Sequence, residues 1–421
     1  MAFSLWLLSL SWQLPQNGPL QPIVQRAGVV VASIPSCVTA EAAAQIVEPA
    51  ARSMHAAETR TILTRTILKP PTPFDRCHRV SVALTLATAF PSHSHWSLHR
   101  RLERIESTTV ELPSMGSVSL TFSRTSCPKS LAPPVVLLHG FDSSCLEFRR
   151  MMPELDDLGV EAYALDLLGW GFADTRHISS VSVEAKRAAL HAFWKEELGG
   201  RPMLVLGVSL GAAVLIDFAA AYPAAIDKAL LVDPQGFIDG TPPVPKPLAR
   251  LGIGVLGSWP LRSLANQLAY FDKERLATDD AIRIGLLHCS RDQWEDDSVD
   301  WLLGGGYSVS SMVAPALAQV PTLVMWGRQD EILPPADFLP KFYEALPEAS
   351  FRWVEECGHS PHLEQPAVLA EAVAAFIRGD KVKGDADVSE VVAAAARGPL
   401  AALLEQLKQR LAEAKAQQRS S

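Results

Sequence analysis

The chain has 421 residues, 48% of them apolar and 20% charged, the balance of a folded protein with a sizeable core. A formal net charge of −8 supplies no basic face for phosphate backbones, which argues against a nucleic-acid partner. Cys37, Cys77, Cys127, Cys145, Cys289 and Cys357 are scattered without a C-x-x-C pair or a Cys/His cluster, so free thiols are expected and no metal or cofactor.

Residues 1–104 carry few acids (Glu41, Glu48, Glu58, Asp75, Glu103) among recurring Arg, Ser, Thr and Ala, with no strand–helix alternation. That bias reads as an organellar transit peptide followed by a poorly ordered leader. A disordered extension or a misassigned start are the alternatives. The apolar opening Phe3–Trp12 is far shorter than the roughly 20 residues a bilayer needs and lacks a basic flank, so no transmembrane segment is expected. Val80–Phe90 is apolar enough for a short packed element.

From Ile105 the pattern changes. Ile105–Leu112 and Val118–Ser123 read as strands joined by a turn at Pro113-Ser114-Met115-Gly116. Short β-rich runs follow: Pro134–Leu138, Val160–Leu165, Met203–Val208, Ala229–Val232, Thr322–Trp326 and Phe351–Val354. Helical-period stretches at about 145–158, 183–197, 210–221, 335–346 and 366–378 separate them. Such alternation predicts an α/β fold, a doubly wound and mostly parallel sheet whose chemistry gathers at the strands' carboxyl ends. Between about 237 and 318 the alternation stops. Helical pieces near 244–256, 259–270 and 276–288 predict a cap inserted over those ends, with the core at 105–236 and 319–380. Glu295-Asp296-Asp297 reads as a solvated helix start rather than a metal site. After Asp380 an Ala/Glu/Lys-rich tail, 381–421, aligns Leu400, Leu403, Leu404, Leu407 and Leu411 in one stripe, a helix for docking on the domain or on a partner.

The special residues close the strands. A serine hydroxyl attacks only when a base takes its proton and the resulting oxyanion is held. Gly207-Val208-Ser209-Leu210-Gly211 places Ser209 on a sharp strand-to-helix turn, with glycines on either side to avoid clashes. Among eleven histidines His359 fits the base, since it follows a strand and the loop-marking Gly358; His362 is the competitor, better suited to packing behind the loop. Asp330, closing Trp326-Gly327-Arg328-Gln329-Asp330, fits the acid that orients it, and Asp233, at the preceding strand end, is the alternative. The oxyanion donors are expected to be the backbone N–H groups of Phe141 and Leu210. Asp142, Ser143 and Ser144 are expected to cap the next helix, and His139 to shape its loop by buried hydrogen bonds. Asp166–Asp174 is a glycine-bearing loop without the spacing of a nucleotide site.

Together, His139-Gly140-Phe141-Asp142, Asp166-x-x-Gly169-x-Gly171, the Ser209 pentapeptide, Trp326-Gly327-x-x-Asp330 and Gly358-His359-x-Pro361-His362-x-Glu364-x-Pro366 resemble the α/β-hydrolase superfamily over about 110–378. The wording is most similar to plant chloroplast members of unassigned substrate, which implies a chloroplast location, with a cytoplasmic one as the alternative. Serine at 209, where epoxide hydrolases and haloalkane dehalogenases of similar wording have aspartate, disfavours those chemistries. The resemblance implies a serine hydrolase acting on an ester-type, lipid-like bond of a small apolar substrate. Other readings stay open: carbon–carbon bond hydrolysis, perhydrolysis, a triad-retaining receptor, or an assembly component using the C-terminal helix. Leu251, Ile253, Leu256, Trp259, Leu261 and Leu264 suit an apolar substrate pocket or the cap's own core equally well.

Overall fold

The computed structural model describes residues 105–127 and 132–380. The expected leader, the element at Val80–Phe90 and the leucine-striped tail lie outside them. Eight strands form one sheet: β1 Ile105–Leu112, β2 Gly116–Arg124, β3 Val135–Leu138, β4 Ala162–Leu165, β5 Met203–Val208, β6 Ile226–Val232, β7 Thr322–Gly327 and β8 Ser350–Val354. Their spatial order is β1-β2-β4-β3-β5-β6-β7-β8. β1 and β2 pair antiparallel, as do β2 and β4, and every pairing from β4 to β8 is parallel.

Burial follows from position. β3, β5 and β7 are buried at every residue, the continuous apolar runs of strands covered on both faces. Edge strand β1 exposes Ser107, Thr109 and Glu111 and buries Val110 and Leu112, the alternation of a half-covered strand. The flanking helices are α1 Met151–Asp157, α2 Val183–Glu196 and α3 Leu210–Ala221, then α10 Pro335–Ala345, α11 Pro361–Glu364 and α12 Pro366–Arg378. Most of α3 is buried, and alanines at 212, 213 and 219 let it lie close to the sheet. Ser182 caps α2 through its hydroxyl, and α12 opens on Pro366 and closes on left-handed Gly379.

Between β6 and β7 the chain leaves the alternation. It forms α4 Lys246–Leu256, α5 Trp259–Ala269, α6 Lys273–Leu276, α7 Asp279–Leu286, α8 Trp294–Leu303 and α9 Val313–Leu317. The acidic run 295–297 occupies the first turn of α8, where the helix dipole favours it. α4 packs on α8, and α5 on α7. Ile253 and Leu256 are buried in this packing, whereas Leu251 points to solvent, because α4 is amphipathic and 251 falls on its outer face. Among the described residues no helix is long and apolar enough to cross a membrane.

Candidate active site

Ser209 stands between β5 and α3 with φ of 51° and ψ of −118°. A non-glycine residue there carries about 1–3 kcal/mol of strain, so its surroundings must impose the shape. They do so through three backbone bonds: Ser209 N–H to the Val232 carbonyl, and Ala212 and Gln235 N–H to the Ser209 carbonyl, each 3.0 Å. The glycines have steric reasons. A Cβ at 207 would run into the Gly211 carbonyl, and one at 211 into the Leu138 and His139 carbonyls.

Adjacent strands bring the other groups to the same end of the sheet. Asp330 lies in the turn after β7, and His359 in the loop after β8, both buried. His359 Nδ1 is 2.7 Å from Asp330 Oδ2, and Oδ1 of the same carboxylate accepts the N–H groups of Ile332 at 2.8 Å and Leu333 at 2.9 Å. Nδ1 therefore carries the proton, and Nε2 is left as the basic nitrogen. Asp233, the alternative acid at the end of β6, is not the group on Nδ1. Its Oδ1 accepts the Gly327 N–H at 2.8 Å.

The loop after β3 is held from below and above. His139 Nδ1 donates to the Gly140 carbonyl at 2.8 Å, and its Nε2 accepts the Leu167 N–H at 2.9 Å. One neutral tautomer satisfies both, and complete burial pushes the His139 pKa down, in agreement. The Gly140 N–H donates to Glu147 Oε2 at 3.1 Å, while Glu147 Oε1 lies 2.9 Å from His362 Nε2. Burial opposes ionisation of Glu147, yet His362 and then His139 bring its carboxyl down to about 2. Hydrogen bonds among the described residues do not engage the Phe141 or Leu210 N–H, which leaves both expected donors open.

Asp142 departs from the expectation of a helix cap. Ser144, not Asp142, precedes the 3-10 turn Cys145–Phe148, and no side chain caps it. Buried Asp142 turns to the insertion instead. His288 Nε2 lies 2.9 Å and Trp294 Nε1 2.8 Å from its Oδ1, and Arg262 meets its Oδ2 and, at 3.2 Å, its backbone carbonyl. Burial alone would raise the Asp142 pKa, but Arg262 and His288 outweigh it and hold the carboxyl well below the usual range. For His288, burial is outweighed by Cys289 and Asp142, and its pKa rises to about 9.

The insertion holds the His359 loop as well. His359 N–H donates to the Ala269 carbonyl at 2.7 Å, and buried Glu364 accepts the N–H groups of Gly358 at 2.7 Å and Phe271 at 2.8 Å. Asp166, in the glycine-bearing loop, accepts from the Thr121 hydroxyl and the Cys145 and Phe172 N–H groups, a bracing role rather than a ligand site.

Two sets of ligand-type atoms lie within 4.8 Å of one another among the described residues: Asp142, His288 and Cys289, and Asp233, Asp330 and His359. In the first, the Arg262 guanidinium already sits on Asp142 and Cys289. In the second, Asp330 already accepts three N–H groups. The first is an internal hydrogen-bond cluster, and in the second His359 and Asp330 are bonded to each other.

A model of the alpha/beta hydrolase family matches residues 135–372, more than half of the chain. The chain belongs to the alpha/beta hydrolase family. This alpha/beta hydrolase is 40% identical over 249 residues, 58% of its length and 74% of the relative's, to Alpha/beta hydrolase domain-containing protein VTE7 of Arabidopsis thaliana. It is 26% identical over 265 residues, 58% of its length and 76% of the other's, to Lipase 1 of Psychrobacter immobilis. A solved thermophilic esterase from Thermogutta terrifontis matches its fold with a TM-score of 0.55 at 21% identity, over 65% of this chain and 98% of that one.

Glu147, Arg262 and Glu364 are the positions whose roles the sequence reading missed. Glu364 sat inside a recognised motif. Arg262 had no local signal, since its partner is 120 residues away.

Proposed function

We propose that this alpha/beta hydrolase is a serine hydrolase that cleaves a carboxylic-ester or lipid-like bond through an acyl-enzyme. The observation that carries the reading is Ser209, in a strained elbow at the sheet end that also holds the bonded His359–Asp330 pair. Ser209 Oγ attacks the carbonyl as His359 Nε2 takes its proton, and Asp330 steadies the imidazolium. The Phe141 and Leu210 N–H groups take up the oxyanion, a contribution of about 10²–10³ in rate for each such donor in comparable enzymes. His359 then protonates the leaving group, and water repeats the sequence to release the acid. The loop carrying the Phe141 N–H is packed in place, the Phe141 ring lying 5.2 Å from Trp170 and 5.1 Å from Trp301.

A fluorophosphonate probe is expected to label the wild-type chain at Ser209 and to leave Ser209→Ala unlabelled. Well-folded wild type that resists labelling refutes the reading. Turnover on chromogenic esters of increasing acyl length then separates an enzyme from a receptor that only reacts slowly. We also propose a plastid location, supported by the acid-poor leader and the likeness to a plant protein. Failure of isolated plastids to import the full chain overturns it.

A further inference from the structure

Asp233 is a buried titratable group that the acyl-transfer scheme does not use. It closes β6, is fully buried, and has a positive φ of 43°. Its Oδ1 accepts the Gly327 N–H, whereas its Oδ2 is buried without a protein hydrogen-bond partner. One oxygen of Asp233, one of Asp330 and one nitrogen of His359 all lie within 4.8 Å of one another. Titratable groups facing it are Asp330 from the turn after β7, and Cys357, His359 and Glu364 from the chain after β8.

Two carboxyl groups this close, away from water, do not both stay ionised. Which one holds the proton follows from their donors. Asp330 receives three N–H groups, each favouring a carboxylate, and Asp233 receives one. A bare buried oxygen on Asp233 is costly as an anion and useful as a hydroxyl.

We propose that Asp233 is a neutral carboxylic acid whose Oδ2–H donates to Asp330, making it a positioning residue behind the His359–Asp330 pair. This rests on the serine-hydrolase reading. Burial, then the charge of Asp330, raises the Asp233 pKa well above its ordinary value, against the pull of the Gly327 N–H. The fourth donor fixes the rotation of the Asp330 carboxylate and keeps the shared proton of the His359 contact on Nδ1.

The test compares Asp233→Asn and Asp233→Ala in the full chain. Asparagine keeps an N–H donor toward Asp330 and an acceptor for Gly327, and removes no charge if Asp233 is neutral. Its kcat is expected to fall several-fold, with the acid limb of the kcat/KM profile unmoved. Alanine removes the donor, and kcat is expected to fall about tenfold further at unchanged KM. If Asp233 is ionised, Asn removes a negative charge next to the pair, and the limb moves down by about one unit or more. That shift overturns the proposal, as does equal activity in the two variants. Infrared difference spectra of wild type against Asp233→Asn at neutral pH supply a readout independent of turnover. A protonated-carboxyl C=O band present in wild type and lost in the variant supports the proposal, and its absence refutes it. A wild type without esterase activity would sink the hydrolase reading while leaving the infrared result to decide the protonation of Asp233.

Discussion

Replacing Arg262 by methionine keeps much of the side-chain bulk and removes the charge that pairs with Asp142. The Asp142 side chain is 1% exposed and that of Arg262 14%, so solvent screens the pair little. Removing one partner of such a pair costs about 3–5 kcal/mol when the remaining charge has no other partner. Asp142 does have one. His288 lies 2.9 Å away with its pKa raised to about 9, so at neutral pH an imidazolium still faces the carboxylate. The expected loss for Arg262→Met at pH 7 is therefore about 2–3 kcal/mol, below the full range. The pH dependence follows from linkage. A histidine whose folded pKa is raised contributes stability that is complete below its ordinary 6.5 and lost as the pH rises through about 9. The deficit of Arg262→Met must then grow between pH 7 and pH values above 9. Urea unfolding at three pH values measures it, with the midpoint and slope fitted separately. A deficit under about 1 kcal/mol that stays constant with pH refutes the view that Asp142 depends on these two cations. Because Asp142 adjoins Phe141, kcat on a chromogenic ester is expected to fall more than KM rises.

Two further outcomes concern other buried charges. Glu147 binds its proton less tightly folded than unfolded, so its stability contribution is full above 4.5 and lost as the pH falls through about 2. Glu147→Gln is expected to cost about 2 kcal/mol at pH 7 and to flatten acid unfolding in that window, and an unchanged acid limb of the unfolding curve refutes it. Lys186 is the reverse case. Its Nζ donates to the Leu168 carbonyl and lies 4.0 Å from the Trp170 ring centroid, but burial lowers its pKa from 10.5 to about 7, with Asp297 offsetting part of the effect. The charged form is disfavoured on folding, so the penalty is full below about 7 and disappears above 10.5. Lys186→Met loses about 1–2 kcal/mol of polar contacts but is expected to gain on wild type as the pH falls through this range. A stability difference independent of pH refutes the buried-charge account.

The sheet was legible because its strands are continuous apolar runs between turn residues, and such runs report burial directly. Ile105–Leu112 and Met203–Val208 coincide with β1 and β5, and 210–221 and 366–378 with α3 and α12. The candidate site residues stood out in the sequence for a related reason. Each sits where a strand ends, and a glycine or an aspartate there breaks the apolar pattern. The insertion was read less completely, since α6 and α9 have four and five residues, too few to show a period, and of α8 only the acidic start was read. Asp142 was misread as a cap because Asp-Ser-Ser before a helical stretch is a capping signal at short range. Its actual partners, Arg262, His288 and Trp294, come from 120, 146 and 152 residues further on, a distance over which local pattern carries no information. Asp233 was considered only as a rival to Asp330, since nothing in a linear sequence shows two carboxyl groups sharing one proton.

Those long separations also bear on the order in which the protein becomes competent. The elbow at Ser209 needs only β5, α3 and the ends of β3 and β6, all made before the insertion is complete. The loop beside it needs donors that arrive when the insertion docks. Arg262, His288 and Trp294, all from the insertion, are what hold Asp142 from above, next to Phe141. A core that has formed the Ser209 elbow but not seated its insertion thus lacks Arg262, His288 and Trp294, the groups that hold the loop from Phe141 to Asp142.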